Sequence, residues 1–201
     1  MKGVKIMMKK FLTRFILMGA ILSVIGCGGL RYSQLDPAAK DYHPKRIAVF
    51  TADVGTYEEA RQHIEQIVPG VLMEKKWFDD VTDTASLSRQ MSANADLSKT
   101  MTDYLSKLNT VNFSDPALSK KIGELTKTDA FLLVAVDFWN YTVEKDKIGK
   151  VSIGLKLIDA ETGKMMWKAG HQLKKSYTFF KPELSDIARS VVSDMVNEMP
   201  H

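Results

Sequence analysis

Three consecutive strands near the C-terminus constrain the fold of this chain more than any other feature. The segment 129–142, DAFLLVAVDFWNYT, is apolar and rich in β-branched and aromatic residues, which predicts a strand. Apolar residues then alternate with small or polar ones over 151–157, which indicates a strand with one buried face. A tight connection at 159–163 leads to a third alternating segment over 165–173. These segments predict an antiparallel three-stranded meander.

Helices and two shorter strands are predicted around the meander. The apolar run 46–51 and the segment 77–81 indicate strands. Helices are predicted from about Tyr57 with an interruption at Pro69-Gly70, over 87–108 with a break near Asn94, over 116–127 after the cap Ser114-Asp115, and from Pro182 onward. The predicted order is β-α-β-α-α-β-β-β-α. The fold class is therefore α/β, a single-domain sandwich in which helices pack on a mixed sheet.

The N-terminus has the organisation of a secretory signal. Lys9 and Lys10 precede an almost wholly apolar stretch, and small residues follow it. Its uninterrupted apolar part, 15–25, is about half of the ~20 residues that a membrane-spanning helix needs. Residues 1–26 are therefore predicted to be a signal peptide. Met1, Met7 and Met8 are all plausible start residues, and each of them leaves the basic and apolar parts of the signal intact.

The sequence contains one cysteine, Cys27, directly after the predicted signal. The four residues Val24 to Cys27 resemble the lipobox of bacterial lipoproteins, with Gly26 before the cysteine. That resemblance implies cleavage after Gly26 and attachment of diacylglycerol to Cys27. Gly28 stands where an aspartate would favour retention in the inner membrane, so the resemblance indicates the periplasmic face of the outer membrane.

Charge and composition exclude a nucleic-acid partner for the processed chain. The sequence has 28 basic and 24 acidic residues, but five basic residues and no acidic ones lie in the first 26, which leaves 23 against 24. Residues 28–44 contain two glycines and two prolines and predict a flexible, irregular tether reaching about 50–60 Å. The periplasmic domain is then predicted to span 45–201.

No residue pattern indicates catalysis or metal binding. A single cysteine excludes an intramolecular disulfide and a Cys-based zinc site, and the four histidines match no catalytic or zinc motif. His171 is interpreted as a core or edge residue of its strand. Asp79, Asp80 and Asp83 do not have the spacing of an EF-hand and are interpreted as a solvated turn. The chain is therefore predicted to be no enzyme and to carry no metal or cofactor other than the lipid on Cys27.

Aromatic residues of the hairpin region are candidates for an interface. Trp139, Tyr141 and Trp167 lie on predicted strands, where exposed rings would anchor a protein partner or stack against a sugar. Phe138 and Trp139 are adjacent, so they are expected to point to opposite faces of the sheet.

The segment 121–168 resembles a group of small bacterial envelope lipoproteins. In that group a helix leads into a strand that begins with Asp-Ala, and a hairpin with Thr-Gly and a later Trp follows. The group includes the GNA-type meningococcal lipoproteins, LpoB, PelC and CsgG, and its fold resembles the N-terminal domain of TolB. Here the resemblance rests on Asp129, Ala130, Asp159, Thr162, Gly163 and Trp167. No long amphipathic insertion suits a secretion barrel, so a pore-forming role like that of CsgG is not expected.

Two functions follow from these features. The first is a membrane-anchored periplasmic lipoprotein that acts as scaffold or assembly partner of an envelope machine for secretion, polysaccharide export or cell-wall synthesis. Its partners would be membrane lipid, through the anchor, and an envelope protein or another copy of the chain. The alternative is a glycan- or peptidoglycan-binding module that uses the aromatic residues.

Overall fold

A computed structural model describes residues 30–111, 113–142 and 147–201. Its strands are β1 (Tyr32–Leu35), β2 (Arg46–Val49), β3 (Asp80–Thr82), β4 (Ala130–Thr142), β5 (Ile148–Asp159) and β6 (Met165–Ser176). Its α-helices are α1 (Glu58–Lys75), α2 (Thr84–Ala93), α3 (Ala95–Val111), α4 (Pro116–Thr126) and α5 (Leu184–Val196), and a short 3-10 helix spans Pro37–Asp41. The predicted α/β class is confirmed.

All six strands form one mixed sheet in the order β1-β6-β5-β4-β2-β3. Strands β4, β5 and β6 pair antiparallel in sequence order, which confirms the predicted meander. Strand β2 pairs parallel with both β3 and β4. The helices between these strands supply the crossover connections that parallel pairing requires.

Helices cover the two faces of the sheet unequally. Helices α1 and α5 pack on one face over a continuous apolar core that includes residues of β2, β4, β5 and β6. Helices α2, α3 and α4 pack on the other face over a smaller core that includes residues of β2 and β4 and the end of β5. Within the described residues this smaller core contains no residue of β6. In the part of the chain that the structure describes, no α-helix therefore packs on one half of the second sheet face.

Side chains at the helix boundaries explain where three helices begin. Asp115 caps α4 by accepting hydrogen bonds from the backbone N–H of Ala117 and Leu118, at 2.9 and 3.1 Å. Asn94 ends α2 and accepts hydrogen bonds from the first turn of α3, so the predicted break at this residue is confirmed. Asp83 caps α2. Each cap satisfies donors that a helix start leaves unpaired.

The predicted interruption at Pro69-Gly70 does not divide the helix. Helix α1 continues from Glu58 through Pro69 to Lys75. Proline inside a helix removes one backbone hydrogen bond and costs about 3 kcal/mol or more. Pro69 is buried together with its neighbours Val68 and Val71, and burial of this apolar face of the helix offsets the cost.

The predicted tether is wrong over its described part. Strand β1 pairs antiparallel with β6, where Tyr32 lies opposite Gly170 and Leu35 opposite Trp167. The indole Nε1 of Trp167 donates a hydrogen bond to Ser33 Oγ at 3.1 Å, and Leu30 packs against the core. The folded part therefore begins by Leu30, not at residue 45.

The early start of the fold shortens the connection to the predicted anchor. Cys27 itself lies outside the described residues, three positions before Leu30. Three Cα–Cα spacings of 3.8 Å reach at most about 11 Å. This distance is far below the 50–60 Å expected of an irregular tether.

Candidate binding surface

The half of the sheet without helices carries a row of lysines on two neighbouring strands. Because side chains alternate along a strand, every second residue in the central parts of β5 and β6 points away from the core beneath α1 and α5 and toward this face. We call them the lysine face: Lys150, Ser152, Gly154 and Lys156 of β5, and Lys168, Gly170, Gln172 and Lys174 of β6.

The lysines of this face lie directly opposite one another. Lys156 pairs with Lys168, and Lys150 pairs with Lys174. Like charges at directly opposed positions destabilise a sheet, so two such pairs work against folding. In the described part of the chain none of these four lysines makes an ion pair, and the Lys150 ammonium lies 4.3 Å from the ring centroid of Phe138. The arrangement concentrates positive charge on this face.

A groove adjoins the lysine face. It has a volume of about 670 Å³ and lies between α3 and strands β4 and β5. Leu105 and Leu133 give it apolar walls, while Asp137 and Lys156 supply charges of opposite sign. Asp137 is held at a β-bulge in β4, where its carboxylate accepts a hydrogen bond from Ser152 Oγ at 3.2 Å.

The ring of Tyr32 lies across the end of this groove. A Cβ built on Gly170 would stand 2.3 Å from a ring carbon of Tyr32, and one on Gly154 would stand 4.0 Å from its hydroxyl. The glycine at position 170 is therefore required for the ring to lie flat against β6. Half of the Tyr32 surface stays exposed.

The three predicted interface aromatics do not form an exposed surface. Trp139 is 4% exposed and Trp167 is 1% exposed, because both rings point into the core beneath α1 and α5. Tyr141 is half-buried, and its hydroxyl donates a hydrogen bond to the carbonyl of Pro182 at 2.7 Å. The prediction of an exposed ring cluster is wrong, and the aromatics are part of the fold. Phe138 lies on the other face from Trp139, with its ring 5.8 Å from that of Tyr57.

The histidine and the acidic residues that the sequence singled out have structural positions. His171 is buried, and its Nε2 lies 3.4 Å from Asp194 Oδ2 without the geometry of a hydrogen bond. Hydrogen bonds from Ser86 lower the pKa of Asp83, which caps α2. Asp79 and Asp80 are exposed at the start of β3. No group of three or more metal-ligating side chains occurs among the residues that the structure describes.

The residues that carry the family resemblance join the strands to one another. The Asp129 carboxylate accepts hydrogen bonds from the backbone N–H of Lys45 and Arg46, at 3.1 and 2.9 Å, and pairs with the Arg46 guanidinium at 2.7 Å. Burial raises the pKa of Asp129, but these hydrogen bonds outweigh it and the pKa lies below its usual value. The hydroxyl of Tyr42 donates to the Asp129 carbonyl at 3.2 Å, and burial raises the pKa of this tyrosine.

The turn between β5 and β6 depends on the other residues of that motif. The Asp159 carboxylate accepts a hydrogen bond from the backbone N–H of Thr162 at 2.9 Å. Gly163 has a φ of +68°, a conformation that disfavours residues with a side chain. The residues of the motif thus hold the turn and join neighbouring strands.

Sequence reasoning missed the lysine face. Its signal was present, because lysines occupy polar positions of both alternating segments. Recognising it required the register that places Lys156 opposite Lys168. Within the described ranges no helix combines the length and apolarity needed to cross a membrane. Cys27 and Gly26, the predicted lipidation and cleavage residues, lie outside those ranges.

Solved structures share this fold. A structure of the PelC dodecamer from Paraburkholderia phytofirmans is 16% identical, covering 84% of this chain and 95% of that chain, with a TM-score of 0.55. Lipoprotein GNA1162 from Neisseria meningitidis is 15% identical, covering 78% of this chain and 100% of that chain, with a TM-score of 0.52. The fold implied by the sequence resemblance is thereby confirmed. No protein-family model matches the chain, and no curated protein matches it.

Proposed function

We propose that this chain is a non-enzymatic lipoprotein anchored through Cys27 to the periplasmic face of the outer membrane, where its lysine face binds another copy of the chain in an envelope assembly. One observation carries the proposal: Lys156 lies opposite Lys168, and Lys150 lies opposite Lys174, on a part of the sheet over which no described α-helix packs. A fold keeps such a repulsive arrangement at a cost in stability, and an acidic partner removes that cost.

The opposite side of the same domain has the complementary charge. Helix α1 carries Glu58, Glu59, Glu65 and Glu74 against Arg61 and Lys75, and α5 carries Asp186 and Asp194 against Arg189. Both helices lie on the far side of the sheet from the lysine face. Stacking the lysine face of one copy on the helical face of the next is a head-to-tail contact, and such contacts form a ring when the rotation between copies closes.

The comparisons and the predicted anchor support this arrangement. One protein with the same fold was solved as a dodecamer and another is named as a lipoprotein. Lipid attachment confines all copies to a thin layer at the membrane, which raises their effective concentration. Weak electrostatic contacts then suffice for assembly.

The test is mild crosslinking in membranes of cells that express the full chain, followed by mass spectrometry. We expect self-adducts from wild type and at least tenfold less from the double variant Lys156→Glu/Lys168→Glu. The matched control Lys40→Glu/Lys45→Glu makes the same change in net charge at exposed lysines that lie on neither the lysine face nor the helices α1 and α5, and it is expected to behave like wild type. Equal adducts from wild type and the lysine-face variant would refute the proposed interface.

The anchor is tested separately in the same preparations. The N-terminal peptide of the processed chain is expected to begin at Cys27 and to carry diacylglycerol, and Cys27→Ser is expected to abolish the added mass. An unmodified peptide beginning at another residue would remove the lipoprotein assignment.

One observation favours the alternative of a glycan-binding module. Tyr32 presents half of its surface beside a polar groove, which suits stacking against a sugar. Trp139 and Trp167, which the sequence offered as further contacts, are buried. Recovery of polysaccharide with the purified chain, lost in Tyr32→Ala and unaccompanied by self-adducts, would favour the glycan function over assembly.

A further inference from the structure

Three segments meet at one end of the sheet. Strands β5 and β6 pair so that Ile148 lies opposite Ser176, which places Lys147, the residue before β5, beside the end of β6. Strand β1 runs antiparallel to β6 from Tyr32, opposite Gly170. The chain before Tyr32 therefore runs toward the same end, and Leu30 is the last residue described there.

The connection from β6 to α5 displays two phenylalanines at this end. We call residues 177–183 the phenylalanine loop. Phe179 and Phe180 are each 91% exposed, more than any other large apolar side chain in the described ranges. Adjacent exposed aromatic rings are costly in water, and they are typical of surfaces that bind an apolar partner.

Contacts at both ends hold this loop in place. The backbone N–H of Tyr177 donates to the carbonyl of Lys147 at 2.9 Å, and the Tyr177 ring meets the edge of the Tyr141 ring with centroids 5.9 Å apart. The Tyr141 hydroxyl donates to the Pro182 carbonyl. Tyr141 thus supports the loop from below, and the two phenyl rings between these fixed points project outward.

Lysines flank the exposed rings. Lys174 and Lys175 precede the loop on β6, and the Lys181 ammonium lies 4.8 Å from the Tyr141 ring centroid. Lys147 is exposed beside Tyr177, and Glu183 adds one carboxylate. Aromatic rings bordered by lysines are the combination that binds the headgroup region of an anionic membrane, where the rings enter the apolar boundary and the ammonium groups meet phosphates.

We propose that Phe179 and Phe180 insert into the surface of the membrane that carries the lipid anchor. The inference rests on the proposed attachment at Cys27, because three residue spacings separate Cys27 from Leu30 by at most about 11 Å, and the chain from Tyr32 back to Leu30 runs toward this end of the sheet. A lipid on a long tether leaves the domain free to tumble. A short connection together with the phenylalanine loop fixes this end toward the bilayer, and it directs the turn between β5 and β6 toward the periplasm.

The experiment measures vesicle binding by the processed chain, residues 27–201, with Cys27→Ser so that no lipid is attached. Every strand and helix of the described residues lies within 32–196, so this chain retains the whole described core. We expect cosedimentation with vesicles of phosphatidylethanolamine and phosphatidylglycerol, and weaker binding to phosphatidylcholine alone. The double variant Phe179→Ser/Phe180→Ser is expected to lower the partition coefficient at least tenfold without changing the melting temperature, since neither ring packs against the core.

Phe113→Ser is the matched control, because Phe113 is 52% exposed and lies near the opposite end of the sheet, one residue before the Ser114 that borders Gly163. It is expected to bind vesicles like wild type. Equal binding by the Cys27→Ser chain and by the same chain with the double variant overturns the inference, as does absence of binding by the Cys27→Ser chain. A diacylated Cys27 together with either result leaves the anchor standing and removes only the loop's role.

Discussion

Replacing Asp129 by asparagine tests how the two halves of the sheet are joined. Asparagine keeps the shape of the side chain but places an NH₂ group where one carboxylate oxygen accepts hydrogen bonds. Asp129 uses both oxygens, one for the backbone N–H groups of Lys45 and Arg46 and the other for the Arg46 guanidinium. The substitution therefore removes at least one charge-assisted contact and sets an amide donor against a guanidinium.

The size of the effect follows from exposure. A hydrogen bond to a charged group contributes about 1.5–3 kcal/mol, whereas an exposed ion pair contributes about 0–1 kcal/mol. The side chains of Asp129 and Arg46 are 32% and 47% exposed, which places this site between the two cases. We expect Asp129→Asn to cost about 1–2 kcal/mol of unfolding free energy, and a domain of this size then melts about 2–8 °C lower.

The loss is expected to depend on pH. Because the pKa of Asp129 in the folded chain lies below its reference value of 3.8, the carboxylate stabilises the fold fully above that pH and loses its contribution as pH falls through the lower folded value. Thermal unfolding of wild type and Asp129→Asn should differ most at neutral pH and converge in strong acid. Equal melting temperatures at neutral pH, or a difference that persists unchanged in strong acid, would refute this account. Asp137→Asn is the control at an exposed carboxylate, and it is expected to change the neutral-pH melting temperature little.

Two further pairs of substitutions test the turn between β5 and β6 and the first strand. Gly163→Ala is expected to lower the free energy of unfolding by about 1–3 kcal/mol, because Gly163 has a φ of +68° and a Cβ there would stand 3.0 Å from Pro116 Cα. Gly70→Ala is expected to raise the free energy of unfolding by about 1 kcal/mol, because Gly70 lies inside α1 with open space around it. Chemical denaturation measures both changes, and a change of the same sign in the two variants would contradict the explanation. Trp167→Phe removes the donor to Ser33 Oγ and should speed amide exchange across β1, while Trp139→Phe should leave β1 protected; equal exchange in the two variants would mean that the indole does not hold β1.

Local chemistry made much of the fold predictable. The strands β4, β5 and β6 were found because apolar residues recur along them at the period of a strand or fill it entirely. The starts of α3 and α4 were found because Asn94 and Asp115 accept hydrogen bonds from residues only two or three positions away. Such interactions are encoded within a few residues, so they can be recognised without knowing what packs elsewhere.

Strand β1 was missed for the opposite reason. All four of its residues are exposed, so Tyr32–Leu35 has no pattern of buried and exposed positions to recognise. Its conformation depends on the unpaired edge of β6, more than a hundred residues away, and on the Trp167 indole. Because this segment is a paired strand, the domain lies close to the predicted anchor.

The aromatic residues show the same limit. The sequence placed Phe138 and Trp139 on opposite faces of the sheet, but it did not show which of the two faces the helices cover. The order of strands decided that α1 and α5 cover Trp139 and Trp167, and that the lysines of β5 and β6 face away from them. The sequence alone determined the predicted signal, the lone cysteine, the strand periods and the helix caps, because each is a property of neighbouring residues. The lysine face, the docking of β1 and the support beneath the phenylalanine loop became visible in the folded chain, because each arises where distant segments pair in a particular register.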